Sequence, residues 1–152
     1  MKKIIAMLLA LSLAAGVLTG CSDENIQATL IDGTYRAEFR EFDDYGWKDY
    51  VEITIADGQL YEVVYDSTNE DGTKLKSEDS GYKADMEAIV GTYPAKYSKD
   101  LINQFLQSGK VTAVDIVAGA TESTGNFKTL VMVAMQSATE GNEEVKIVDN
   151  LN

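Results

Sequence analysis

From residue 32 onward the chain alternates between apolar and polar positions in two different periods. "DGTYRAEF" begins with a turn at Asp32-Gly33 and runs into a β-rich alternation that breaks over Asp43 to Trp47. Val51, Ile53 and Ile55 then alternate with Glu52, Thr54 and Ala56, the period of a strand with one buried face. Asp57-Gly58 is a two-residue hairpin signal, because both residues tolerate positive φ. Leu60 to Tyr65 follows as a third antiparallel strand, with Tyr61, Val63 and Tyr65 on one side and Val64 on the other. Ser67 to Tyr82 is polar and reads as a loop.

The period then changes. Lys83 to Val90 predicts a short helix with Ala84, Ala88 and Met86 or Ile89 turned inward, stopped by Gly91-Thr92-Tyr93-Pro94. Ser98-Lys99-Asp100 starts a clearer helix, with a stripe of Leu101, Ile102, Phe105 and Leu106. Val111 to Val117 predicts another strand. Asn126 to Ser137 predicts a last helix, in which Met132 and Met135 read as core. Residues 141–152 form a polar tail in which Val145 to Val148 can add an edge strand. Strands followed by helices, one strand and a helix give an α+β fold class, a mainly antiparallel sheet with helices packed on it.

The first twenty residues are patterned differently. Behind Lys2 and Lys3, Ile4 to Leu18 is apolar except for Ser12 and Gly16. As a helix it would reach roughly 22 Å, short of the roughly 30 Å hydrocarbon core of a bilayer. Residues 1–20 therefore read as a signal peptide. Leu18-Thr19-Gly20-Cys21 resembles the lipobox of bacterial lipoproteins, in which the cysteine sulfur receives diacylglycerol and the chain is cut just before it. Cys21 is the one cysteine in the sequence, so no intrachain disulfide forms. Residues 21–31 become a lipidated tether, and two or three acyl chains hold stably where one does not. The expected location is the extracytoplasmic face of a bacterial membrane.

Charge and composition exclude several functions. The sequence has 25 acids and 13 bases; Lys2 and Lys3 leave with the signal, so 11 bases remain and the mature chain carries an excess of 14 negative charges. Nucleic acid and anionic headgroups are poor partners for such a surface. With no histidine, a Ser-His-Asp mechanism has no base. With the cysteine used for the anchor, no metal site of nitrogen and sulfur ligands can be built. Nothing nominates a catalytic acid and base, so the chain is not expected to be a free-standing enzyme.

"VDIVAGATEST", from Val114 to Thr124, carries the candidate chemistry. Gly119 is free to take unusual backbone angles, and neither it nor Ala120 blocks a bulky group. Thr121 lies just before a helix, whose first amides favour a phosphate. Ser123 or Thr124 would cap that helix. The residues alone admit two readings, a strand-turn-helix joint with nothing bound or a phosphate site.

A resemblance favours the second. "DGTYRAEF", "VEITIADGQLYEVVYD" and "VTAVDIVAGATESTGNFKTLV", with Phe42 to Trp47 and Lys74 to Glu78, resemble the FMN-binding domain family, and within it small flavinylated lipoproteins of extracellular electron transfer. The likeness covers residues 32–140. In that family an Asp, two variable residues, Ser or Thr, then Gly-Ala-Thr is the target of a flavin transferase. That enzyme uses FAD and Mg²⁺ to join FMN to the threonine oxygen as a phosphodiester, releasing AMP. Asp115, Gly119, Ala120 and Thr121 match the pattern; Ala118 departs from it. The resemblance thus implies an electron carrier with FMN on Thr121, serving a membrane redox donor and an extracellular acceptor. Trp47, Tyr45 and Tyr50 are candidates to stack on the flavin, and Thr92 and Tyr93 to line its cleft. The alternatives are a flavin-free or non-covalent ligand-binding surface lipoprotein, and an enzyme that reduces a small substrate through bound flavin.

Overall fold

The computed structural model describes residues 29–150, so Cys21 and the signal segment lie outside the described residues. Strands β1 (Gly33–Phe39), β2 (Trp47–Ala56) and β3 (Gln59–Asn69) form an antiparallel meander. The short β4 (Lys146–Val148) pairs in parallel with β1, giving the order β3-β2-β1-β4. The polar tail therefore supplies the expected edge strand. Asp57 and Gly58 join β2 to β3 with φ of 53° and 70°, as a tight hairpin turn of that sequence requires.

One face of the sheet is the core. Tyr35, Ala37 and Phe39 of β1, Val51, Ile53 and Ile55 of β2, and Val63 and Tyr65 of β3 are buried on it. The opposite face carries charge: Glu38 accepts from Arg36 Nε at 3.0 Å and Lys48 Nζ at 2.8 Å, and Arg36 lies 3.7 Å over the ring of Tyr50. Tyr61 does not join Val63 and Tyr65 in the core. A bulge at Thr54/Ile55 sets Ile55 opposite Leu60 and Ile53 opposite Val63, and Tyr61 is left exposed.

Helices α1 (Ser80–Val90), α2 (Pro94–Ser108) and α3 (Thr121–Glu140) complete the α+β fold. From α2, Tyr97, Leu101 and Phe105 enter the core; from α3, Phe127, Leu130, Val131, Ala134 and Ala138 do. Pro94 starts α2 a turn earlier than Ser98, since proline suits the first helical position. Met135 packs on the core, but Met132 faces outward and is exposed.

Two predicted elements differ. Val111 to Val117 is not a strand: Val111–Ala113 forms a 3-10 turn and an extended segment follows. Its backbone is tied by side chains instead of a ladder, with Asp115 N–H donating to Gln104 Oε1 at 2.7 Å and Val117 N–H to Thr124 Oγ1 at 3.2 Å. Val114 still buries its side chain, which is the source of the apolar signal. In α1, by contrast, no residue is buried, and Ile89 is 82% exposed. Tyr82 and Met86 are its half-buried positions.

Candidate functional site

Where the core face of β2 runs past the beginning of α3, a cleft of about 250 Å³ opens to solvent. The first turn of α3 forms one wall, α1 another, and the β1–β2 loop a third; Trp47, Tyr82, Lys76, Asp49 and Thr121 are among its lining residues. Polar residues reach this place through strand parity. Trp47 and Asp49 continue the buried alternation of Val51, Ile53 and Ile55 beyond the point where apolar side chains fill the core.

Asp49 organises the floor. Its carboxylate accepts from Asn126 Nδ2 at 2.9 Å, from Ser67 Oγ and from the Tyr65 hydroxyl at 2.8 Å. The same Tyr65 hydroxyl lies 2.9 Å from the Ser123 carbonyl, so the network joins β2, β3 and α3. Burial, and after it the charge of Asp49, holds the Tyr65 phenol well above its ordinary range. Burial also pushes Tyr97 up to about 12, against the opposing charge of Lys76.

Lys76 stands in the wall, 6% exposed. Its ammonium donates to Asp43 Oδ2 at 3.2 Å and sits 4.7 Å from the centre of the Tyr82 ring. Burial disfavours the charge, yet the surrounding phenols of Tyr97 and Tyr82 and the carboxylates of Asp43 and Asp49 raise its pKa above the ordinary lysine value. Asp43 also shapes the loop, accepting the N–H groups of Tyr45 and Trp47 through Oδ1 at 2.9 and 2.8 Å. Tyr82 meets Trp47 and Tyr45 edge to face, with centroids 6.2 and 6.5 Å apart.

The candidate residues of the Val114–Thr124 stretch divide between several places. Thr121 is the first residue of α3, exposed, and on the cleft wall. Ala120 is its N-cap, without a side-chain cap bond, and is buried. Ser123 lines the cleft.

Neither Ser123 nor Thr124 caps the helix, because α3 begins earlier than the sequence suggested. Thr124 is buried in the first turn, and its hydroxyl donates to the Ala120 carbonyl at 2.8 Å while accepting from Val117 N–H. Gly119 takes φ of 78°, but its bare side faces the protein. A Cβ there would stand 2.9 Å from Cβ and the carbonyl oxygen of Val90 and 3.1 Å from Thr92 Cγ2. The glycine lets the end of α1 close on the start of α3.

Asp115 is exposed and outside the cleft lining. Thr92 is buried beneath Gly119, and Tyr93 caps α2 with the Lys83 ammonium 4.4 Å from its ring centre; neither lines the cleft. Tyr50 lies beneath Arg36. Asp49, Asn126, Tyr65 and Tyr82 were not singled out from sequence. Parity could have found Asp49, an acid in phase with a buried apolar series.

No helix among the described residues is long and apolar enough to cross a membrane, and among them no cluster of acids could hold a metal ion. No protein-family model matches the sequence. The chain is 39% identical over 137 residues to the 15 kDa lipoprotein of Treponema pallidum (strain Nichols), spanning 90% of this chain and 94% of that one. Its fold is similar to the crystal structure of a Clostridium perfringens protein, with a TM-score of 0.74 and 32% identity over 80% of this chain and 99% of that one. With that identity across nearly the full length of both sequences, the chain belongs to the family of the Treponema 15 kDa lipoprotein, a small lipoprotein with an α+β domain.

Proposed function

We propose that this lipoprotein is an extracytoplasmic electron carrier, anchored at Cys21, with FMN joined to Thr121 through a phosphodiester by a flavin transferase. The observation that carries the reading is the placement of Thr121: an exposed hydroxyl at the head of a 20-residue helix without a side-chain cap, on the wall of an aromatic-lined cleft. Bound FMN would supply electron transfer, gaining one negative charge for each two electrons and one proton taken up.

The residues fit that group in three respects. The amides of the first turn of α3 are placed for a phosphate, which a helix N-terminus favours through its N–H groups and dipole. Trp47, Tyr45 and Tyr82 offer aromatic surface to a planar ring. Asp115 is exposed beside the modification segment, where a transferase can reach it.

The charge of the cleft explains why a bond would be used. Glu41, Asp43, Asp44, Asp49 and Glu122 are among its lining residues, against Lys76. Free FMN, with its nearly dianionic phosphate, is repelled by such a surface and lost by diffusion outside the cell; a phosphodiester carries less charge and cannot diffuse away.

Ala118 supports the competing reading of a ligand-binding lipoprotein without flavin, because the resembled motif has Ser or Thr there. Co-expression with a flavin transferase and intact-mass and peptide mass spectrometry separates the two. The wild-type chain should gain the mass of one flavin phosphate group on the peptide containing Thr121, and Thr121→Ala should fold and gain none. An unlabelled wild-type chain under conditions that label another member of the flavinylated family would overturn the proposal, as would a label that persists in Thr121→Ala.

A further inference from the structure

The cleft wall holds a buried ammonium, Lys76, among carboxylates. A buried ammonium costs several kcal/mol of desolvation unless well partnered, and apolar replacements of buried ion pairs are often neutral or stabilising. Lys76 is 6% exposed, and its hydrogen bond to the described residues goes to Asp43, whose own side chain is 31% exposed and shared with two backbone amides. Its ammonium also sits 4.7 Å from the centre of the Tyr82 ring, which holds the cation at the cleft wall. Around it stand five carboxylates, so most of the local field opposes added negative charge.

Resting on the flavin reading above, we propose that Lys76 is the residue that tunes the reduction potential of the group in this cleft, by stabilising the negative charge of its reduced form. The acids lower that potential, and Lys76 opposes them from within the low-dielectric wall, where a charge acts more strongly than one in water. Asp43 sets how much of the lysine charge remains available. It is a partner that positions and partly neutralises Lys76, so the two residues must act in opposite directions.

The test uses the full lipoprotein, co-expressed with a flavin transferase, solubilised in detergent and titrated with dithionite against reference dyes after intact-mass analysis. Lys76→Met should keep the flavin label and lower the reduced-to-oxidised ratio at a fixed applied potential about tenfold, or about 30 mV for a two-electron couple. Lys76→Arg, which keeps the charge, should restore that ratio to within about threefold. Asp43→Asn should raise it. A labelled Lys76→Met chain with the wild-type potential would overturn the proposal, as would Lys76→Met and Asp43→Asn moving in the same direction. If Lys76→Met does not accumulate as folded protein, Lys76→Gln decides: a lowered potential supports the assignment, and an unchanged or raised one removes it. A wild-type chain without the label removes the flavin reading itself, a failure that mass analysis distinguishes from an unmoved potential.

Discussion

The core between the sheet and α3 and the cleft wall made by α1 are both helix-built, yet they are held by different forces. Phe127, Leu130, Val131 and Ala134 of α3 are fully buried against β1 and β2. Helix α1 buries no residue. It is fixed at its ends, by Asp79 accepting the Tyr82 N–H at 2.8 Å and by Val90 against Gly119. Area removed from water specifies the first region, while a cap, a close backbone approach and edge-to-face aromatic contacts specify the second. The cleft is thus built on a rigid floor with a wall of lower intrinsic stability, a common division between scaffold and site.

The strongest way to break this contrast is to cut into the floor. Phe127→Ala should lower unfolding free energy by about 3–5 kcal/mol, the usual cost of a truncated core aromatic. Denaturant titration of the flavin-free protein measures it. A loss under about 1 kcal/mol would mean that α3 is not the main support.

Alkaline pH probes the boundary between the two regions, where Tyr97 lies under the cleft. Its folded pKa of about 12 exceeds the unfolded value near 10, so the neutral phenol is favoured by folding. The associated stability is complete below pH 10 and falls by about 1.4 kcal/mol per pH unit until the folded pKa is passed. Tyr65 is shifted in the same direction. Denaturant midpoints measured at intervals from pH 9 to 12 should therefore decline, and Tyr97→Phe should flatten the slope.

The smallest effect sharpens the contrast. Ile89→Ser on α1 removes an apolar side chain that is 82% exposed, so the denaturant midpoint should stay within about 0.5 kcal/mol of wild type. A larger loss would reveal a buried role for the outer face of α1.

The sequence made the first region legible, because long-range burial leaves a local trace there. Val51, Ile53 and Ile55 alternate as a half-buried strand must, Asp57-Gly58 marks the hairpin, and the Leu101–Phe105 stripe marks α2. The same logic failed where an apolar residue had another use. Val114 enters the core from an extended segment without strand partners, and the alternation around it imitated a strand. Ile89 and the alanines of α1 have helical spacing but no surface opposite them. Tyr61 was displaced by a one-residue bulge, which no local preference announces.

The candidate site was half legible for a related reason. By itself the sequence determined the Val114–Thr124 stretch, the excess of acids and the hydroxyl of Thr121, because these are properties of residues in order along the chain. It also determined the fold class, since periodicity records which face of each element is buried. Only the tertiary structure brought Asp49, Asn126 and Tyr82 to one cleft from β2, α3 and α1, with the Tyr65 hydroxyl of β3 bonded to Asp49 from the core. It also decided that Gly119 turns its bare side toward Val90 and that Thr124 ties the first turn of α3 to Val117. Such contacts join positions distant in sequence, and hydrogen-bond geometry and steric fit have no period along the chain from which they could be read.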